Sequence, residues 1–444
     1  MIICFAVTII IKWNIMGINK GVMELIMLFP TQMDTQNFGS LQINTHSLAG
    51  GAAIPGARVV VSYVGQPDNV IEELVTDESG KTEEITLPAP PVGYSMEPSA
   101  NQPYSEYDIN VSVPGYETTQ IDAIEILPGE KSIQDVNMIR QVGDTDTAEL
   151  FVIGPHTLFG DYPPKIPESE IKPVDDRGEI VLSRVVIPEY VVVHDGPPSD
   201  PSATDYYVPY KDYIKNVASS EIYATWPEAT IMANILAIQS FTLNRVYTEW
   251  YRNKGYDFTI TSSTAYDHKF IPGRNIFESI SQVVDSIFTS YLSRPNVSQP
   301  ILTQYCDGKR VQCPEVMSQW GSKYLGDQGY SAIGILKNYY GNSIYINTSE
   351  VISGIPSSWP GYDLGVGASG DKVRQLQRQL NVISDGYPLI PKVAEDGAYG
   401  EQTAEAVRVF QGIFDLPQTG VTDFPTWYKV SEIYTGVSRI AEYM

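Results

Sequence analysis

The chain has 444 residues, 43% of them hydrophobic, which is material for roughly two to four packed domains. Its 53 acidic against 29 basic side chains give a net charge of -24, and this argues against a nucleic-acid partner, because phosphate contacts need clustered Lys and Arg. Three cysteines exclude a disulfide-dense scaffold, and 29 tyrosines suit either a wet carbohydrate groove or a tyrosine-rich sheet.

Residues 1–36 are taken as a leader. Within it, residues 2–11 form an apolar run of signal-peptide length, but Lys12 and Trp13 follow and no small-residue cleavage site appears. The run is too short to span a bilayer, so no stable membrane span is expected. Met16, Met23, Met27 and Met33 are alternative starts. The expectation is that part or all of the leader is missing from the mature protein, leaving no secretion signal.

Residues 37–140 carry a β pattern. Strands are expected over residues 41–43, 59–61 and 109–113, the last with period-two alternation, and a turn at Asp77, Glu78, Ser79 and Gly80. Short strands with regular turns predict an all-β sandwich. Gly56-Ala57-Arg58-Val59, Thr76-Asp77-Glu78-Ser79-Gly80 and Val113-Pro114-Gly115-Tyr116 resemble carboxypeptidase regulatory-like domains, which implies an accessory module. His46 is expected to be structural. Residues 141–178 are polar and proline-punctuated, a linker.

Residues 179–346 read as a central α+β unit. Two apolar strands near Val181 and Val191 are split by Pro188. Tyr213, Ile214, Val217 and Glu221 recur at helical spacing, placing a carboxylate on or beside an apolar face. Burial there raises its pKa, as a general acid requires; the plainer alternative is a helix-end glutamate in a structural network. After Pro227 a long helix keeps Met232, Ile235, Leu236, Gln239, Leu243, Val246 and Trp250 on one face. A further helix is expected to carry Phe277, Ile280, Val284, Ile287 and Tyr291. Residues 259–270 are loop or strand, residues 301–305 a short strand, and residues 330–340 lead into a helix closed by Gly341. Asp267 and His268 are expected as a surface or cleft pair. His156 and His194 have no partners readable in sequence. Cys306 and Cys313 would pair in an oxidising compartment and stay as thiols in a reducing one.

Three blocks carry a resemblance to the SpoIID/LytB domain. They are Val217-Ala218-Ser219-Ser220-Glu221 with Trp226-Pro227, the helix through Ala233, Ala237, Ser240 and Leu243, and Met317-Ser318-Gln319-Trp320-Gly321 followed by Asp327-Gln328-Gly329-Tyr330-Ser331 and Ile335-Leu336-Lys337-Asn338-Tyr339-Tyr340-Gly341. The resemblance implies a lytic transglycosylase acting on peptidoglycan glycans stripped of peptides. It implies Glu221 as the catalytic acid and base, and Tyr305, Ser318, Gln319 and Trp320 as glycan-binding residues. One glutamate suffices where an anhydro ring closes without water; hydrolases need two carboxylates. The sequence departs from the family at Gln239, where an arginine is usual, and at Gln312-Cys313-Pro314-Glu315-Val316, where a histidine is lost. Some family members bind zinc, and His268, Cys306 and Cys313 would supply three ligands, but the spacing is loose and no fourth ligand is evident. The expectation is therefore no cofactor.

After a linker over residues 347–369, residues 370–436 form a small helical bundle. Val373, Leu376 and Leu380 make one apolar stripe; Val407, Phe410 and Phe414 make another. These, with Gln377, Asp396, Gly397, Tyr399, Gly400, Thr403, Ala406, Gln411, Thr426 and Trp427, resemble the peptidoglycan-binding type 1 domain, which implies glycan contacts around Asp396, Tyr399 and Trp427. The combined expectation is a wall- or spore-associated enzyme that cleaves glycan strands, in sporulation or cortex turnover, with peptidoglycan and other wall hydrolases as partners. The rivals are a catalytically inactive wall- or spore-binding scaffold and an amidase enhancer.

Overall fold

Residues 37–47, 51–141, 148–172, 182, 184–352, 360 and 362–441 are described by a computed structural model. The expected leader and the strand expected at Val181 lie outside these residues. The first part of the described chain forms β1 (Asn37–Ser47), β2 (Arg58–Tyr63), β3 (Gln66–Val75), β4 (Ile85–Ala89), the one-turn α1 (Gly93–Met96), β5 (Ser105–Ser112), β6 (Thr118–Ile126), β7 (Lys131–Met138) and β8 (Ala148–Val152).

One sheet is ordered β3-β2-β5-β6-β8. Val59 lies opposite Leu74 on one side and Val111 on the other, and Val61 lies opposite Ile109. Those alternating apolar side chains share one buried core. The turn expected at Asp77–Gly80 is present: the Asp77 carboxylate accepts the Ser79 and Lys81 N–H groups. Gly80 has φ +76°, and a Cβ there would lie 2.4 Å from the Thr45 carbonyl oxygen, so only glycine fits. Within the stretch read as a linker, β8 pairs in parallel with β6. Its Phe151 packs so closely on Gly273 that a Cβ on the glycine would meet it at 2.7 Å. Tertiary pairing thus fixes a strand where local composition signals none.

The central part contains β9 (Tyr190–His194), β10 (Asp205–Pro209), α2 (Tyr210–Glu221), α3 (Glu228–Tyr247), β11 (Ile260–Thr261), β12 (Ile276–Phe277), α4 (Glu278–Ile287), β13 (Ser290–Ser293), β14 (Tyr305–Cys306), β15 (Met317–Ser318), α5 (Gln319–Asp327), α6 (Ala332–Tyr340) and β16 (Tyr345–Thr348). The second sheet, ordered β12-β7-β1-β4, takes β12 from this part and the other three strands from the first. The join is reinforced by a buried bidentate ion pair between Arg274 and Glu125 at 2.9 and 2.6 Å, and by Asn275, whose amide bonds both backbone groups of Glu125.

Helix α2 is buried on all sides except at Asp212, so Glu221 does not sit at the edge of an amphipathic stripe. The long helix stops at Tyr247, three residues short of Trp250, where Glu249 turns to φ +44°. Tyr291 lies in β13 rather than on α4, because residues 290–293 pair with β16. Gly341 closes α6 with φ +83°, a backbone region open to glycine.

The last part consists of α7 (Asp371–Gly386), α8 (Glu401–Ile413) and α9 (Phe424–Ala441). Val373, Leu376, Leu380, Val407 and Phe410 form its core, continuous with that of the central part. Two buried glutamines hold its turns. The Gln377 side chain accepts from Gly397 N–H and donates to Asp396 and Ala398; Gln411 accepts from Gly420 N–H and donates to Val421 and Thr426.

Candidate functional site

Glu221 is the last residue of α2; the chain then turns extended at Ile222. Its side chain is 0% exposed. Oε1 accepts the Lys269 N–H at 2.6 Å, and the Gln319 amide donates to the Glu221 carbonyl at 3.0 Å and reaches Oε2 at 3.4 Å. Gln319 arrives on the first residue of α5, whose N-cap is Ser318: its hydroxyl accepts the Gly321 N–H at 2.9 Å. The structure thus brings Glu221 together with the segment around Met317.

Burial is the main influence on Glu221 and pushes its pKa up, opposed first by the charge of Lys165. Burial likewise pushes the Lys165 ammonium down. That ammonium donates to the backbone oxygens of Thr264 and Asp267 and lies 5.0 Å from the centre of the Tyr305 ring. Lys165 comes from the stretch read as a linker, and neither periodicity nor composition signals it.

The imidazole of His268 is fully buried, faces the Tyr213 hydroxyl through Nδ1 at 3.0 Å and stacks on Tyr305 at 5.8 Å. Burial holds its pKa well below the ordinary histidine value. Among the described residues, buried polar atoms without a hydrogen-bond partner include Tyr162 Oη, His268 Nε2, Tyr305 Oη and Gln319 Oε1. All belong to residues around Glu221. The Tyr305 hydroxyl is near enough to draw the Glu221 pKa down, yet misses hydrogen-bond geometry.

Asp267 and His268, expected as a surface or cleft pair, are instead wholly interior. The Asp267 carboxylate accepts from Arg245 Nε at 2.7 Å, Tyr251 Oη at 2.6 Å, and the Thr261 N–H and hydroxyl at 2.9 and 2.8 Å. Arg245 also forms a bidentate pair with Glu168 at 2.9 and 2.6 Å. Gln239 donates to Ile287 O at 3.2 Å.

Trp320 packs in an aromatic cluster, 5.0 Å from Trp226 and 6.0 Å from Tyr223. Cys306 and Cys313 are joined in a disulfide, so the set His268, Cys306 and Cys313 is not assembled as a metal site. Between them the Asp307 carboxylate accepts the N–H groups of Lys309, Arg310 and Val311. Among the described residues no group of three or more His, Cys, Asp or Glu is placed to hold a metal.

In the C-terminal bundle, Asp396 is exposed and accepts from Gln377 and the Ala398 N–H. Tyr399 is 2% exposed, its hydroxyl bonded to Gly420 and Thr422, and Trp427 is 1% exposed. Both aromatics belong to the buried core; only Asp396 of the three faces solvent. His156 is buried against Tyr223, with ring centres 4.3 Å apart, and His194 pairs with Asp205 at 2.7 Å. His46 faces the Tyr387 hydroxyl at 3.3 Å.

Residues 369–430 match the family model described as "Putative peptidoglycan binding domain". The peptidoglycan-binding domain suggests association with the cell wall, with peptidoglycan as partner. No curated protein matches the chain. Among solved structures, the TIE protein of Bacillus anthracis is similar at 24% identity over 23% of this chain and 18% of that one, with a TM-score of 0.17. Wild-type catechol 1,2 dioxygenase of Acinetobacter radioresistens is similar at 14% identity over 27% and 59%, TM-score 0.18. The minor pilin GBS52 of Streptococcus agalactiae is similar at 16% identity over 25% and 48%, TM-score 0.17. The chain spans less than two thirds of each. No helix among the described residues is long and apolar enough to cross a membrane.

Proposed function

We propose that this protein cleaves peptidoglycan glycan strands by a lytic transglycosylase reaction at Glu221. The observation that carries the reading is a fully buried carboxyl with a raised pKa, beside Gln319 and among buried polar atoms that lack partners. The C-terminal bundle supplies affinity for the polymer. In the proposed step neutral Glu221 gives its proton to the oxygen joining muramic acid to glucosamine. The bond from muramic C1 to that oxygen breaks, and glucosamine leaves with a free 4-hydroxyl. The muramic 6-hydroxyl oxygen then bonds to C1, and its proton passes to the Glu221 carboxylate. The acid is restored and no water is consumed. We further propose, on the likeness of the blocks around Glu221 and Met317 to the SpoIID/LytB domain, that the activity serves sporulation or cortex turnover at a wall- or spore-associated location.

A second reading, a wall-binding scaffold with a closed lytic fold, is favoured by the complete burial of Glu221. An amidase enhancer belongs with it, since neither cuts glycan. Incubation of the full chain with peptide-free glycan, followed by mass spectrometry, separates the readings. The enzyme reading expects anhydro-muramic ends from wild type; their absence leaves the scaffold.

A further inference from the structure

Glu221 is covered by its own chain. Residues 153–172 cross the central part as an irregular strap, and both ends of the strap are tied down. At one end the Thr157 N–H and hydroxyl both donate to the carbonyl of Ser220, the neighbour of Glu221, at 3.0 and 2.6 Å. At the other, the Ile166 N–H donates to Ala265 O at 2.8 Å, Glu168 pairs with Arg245, and Glu170 pairs with Arg294 at 2.6 and 2.7 Å. Between these anchors, residues 158–165 carry Tyr162, Pro163, Pro164 and Lys165.

Leu158 and Phe159 pack into the core at the start of this section, and two polar side chains further along also reach inward. The Tyr162 hydroxyl is buried without a hydrogen-bond partner and lies within electrostatic reach of Glu221 and Asp307. The Lys165 ammonium donates to the backbone oxygens of Thr264 and Asp267 and lies 5.0 Å from the centre of the Tyr305 ring, tying this section to the segment that bonds Glu221. A clasp holds the section from outside: Arg310, on the disulfide-closed loop, donates to Thr157 O at 2.5 Å and sets its guanidinium 5.8 Å from the centre of the Tyr162 ring. Asp161, Pro163, Pro164 and Ile166 face solvent. A sugar polymer cannot reach a carboxyl with no exposed surface while this section stays down.

We infer that residues 158–165 are a lid, latched by Lys165 and clasped by Arg310, which must lift before a glycan strand reaches Glu221. The inference deepens the lytic reading and rests on it for the identity of what enters; the lid itself rests on the anchors at Thr157, Ile166, Glu168 and Glu170 and on the Arg310 contacts. Short compact loops pinned at both ends are a common form for such covers.

The test labels carboxyl groups of the folded full chain with a water-soluble carbodiimide and an amine, and maps them by mass spectrometry. Asp285 is the internal control: it is 2% exposed and is held by Lys211 and Lys215, not by residues 158–165. Lys165→Met and Arg310→Gln are each expected to speed labelling of Glu221 at least about tenfold over wild type, with Asp285 unchanged. Two variants are used so that misfolding of one leaves the other informative. If Glu221 labels no faster than in wild type in both folded variants, the lid is wrong. The same samples on peptide-free glycan keep the two ideas apart. Faster labelling without anhydro ends leaves the lid and removes the lytic reading. Anhydro ends from wild type with unchanged labelling in both variants remove the lid and leave the lytic reading.

Discussion

Glu221 and Lys165 are both driven toward their neutral forms by burial, one pKa up and the other down. The fold therefore favours the protonated carboxyl. Its contribution to stability is fully present below the unfolded glutamate value of about 4.3 and is lost as pH rises through the raised folded value. Glu221→Gln fixes the neutral shape, so its melting temperature should gain on wild type as pH is raised from about 4 to neutrality. Thermal melts across that range check this, and a gap that shrinks with pH would mean that Glu221 is charged in the fold. Arg245 is the opposite case. It is a permanent cation paired with the buried Asp267 carboxylate and the part-buried Glu168 carboxylate, the latter also held by Lys172. Arg245→Met leaves Asp267 buried without its ion-pair partner, and chemical denaturation should show a loss of about 3–5 kcal/mol.

At the scale of elements, the two glutamine-held turns of the C-terminal bundle make the sharpest case. Gln411→Leu keeps the volume but leaves the Gly420 N–H and the Val421 carbonyl without the amide, so the bundle should lose about 2–3 kcal/mol by denaturant titration. A change below a few tenths of a kcal/mol would show that water replaces the amide. This bundle was legible from sequence because its stripes, turns and glutamines are all local. Val373, Leu376 and Leu380 sit one helical turn apart, and Asp396 and Gly397 fall in one tight loop. The surroundings of Glu221 were legible only in part. The helix bearing it and the segment bringing Gln319 follow from spacing and resemblance. Lys165 and Tyr162 were not legible, because an irregular strap has no period and its bonds go to residues far along the chain. The same reason hid β8, and left Asp267 and His268 expected as a surface or cleft pair when the buried Arg245 holds the aspartate in the interior.

The whole molecule is tied by charges as much as by apolar packing. Asp415, just beyond α8, receives Lys81 at 2.9 Å and Lys131 at 3.3 Å from the β-rich first part of the chain. On α9, Glu432 meets Lys429 at 3.1 Å and Lys211 of α2. Lys211 and Lys215 in turn meet Asp285 of α4 at 3.3 and 2.8 Å, so ion pairs run from the C-terminal bundle to the helix that ends on Glu221. Such pairs contribute little when whole but are costly when one partner is removed. Asp415→Ala should therefore turn one calorimetric unfolding transition into two, with the bundle melting first. A single unshifted transition would show that the apolar core alone couples the parts.

The proposed activity turns on one acid. The most direct measurement compares wild type with Glu221→Gln, both shown to be folded, on peptide-free glycan, counting anhydro-muramic ends over time. The prediction is steady accumulation with wild type and a loss of at least about a hundredfold in the variant. Equal rates from the two proteins would contradict it.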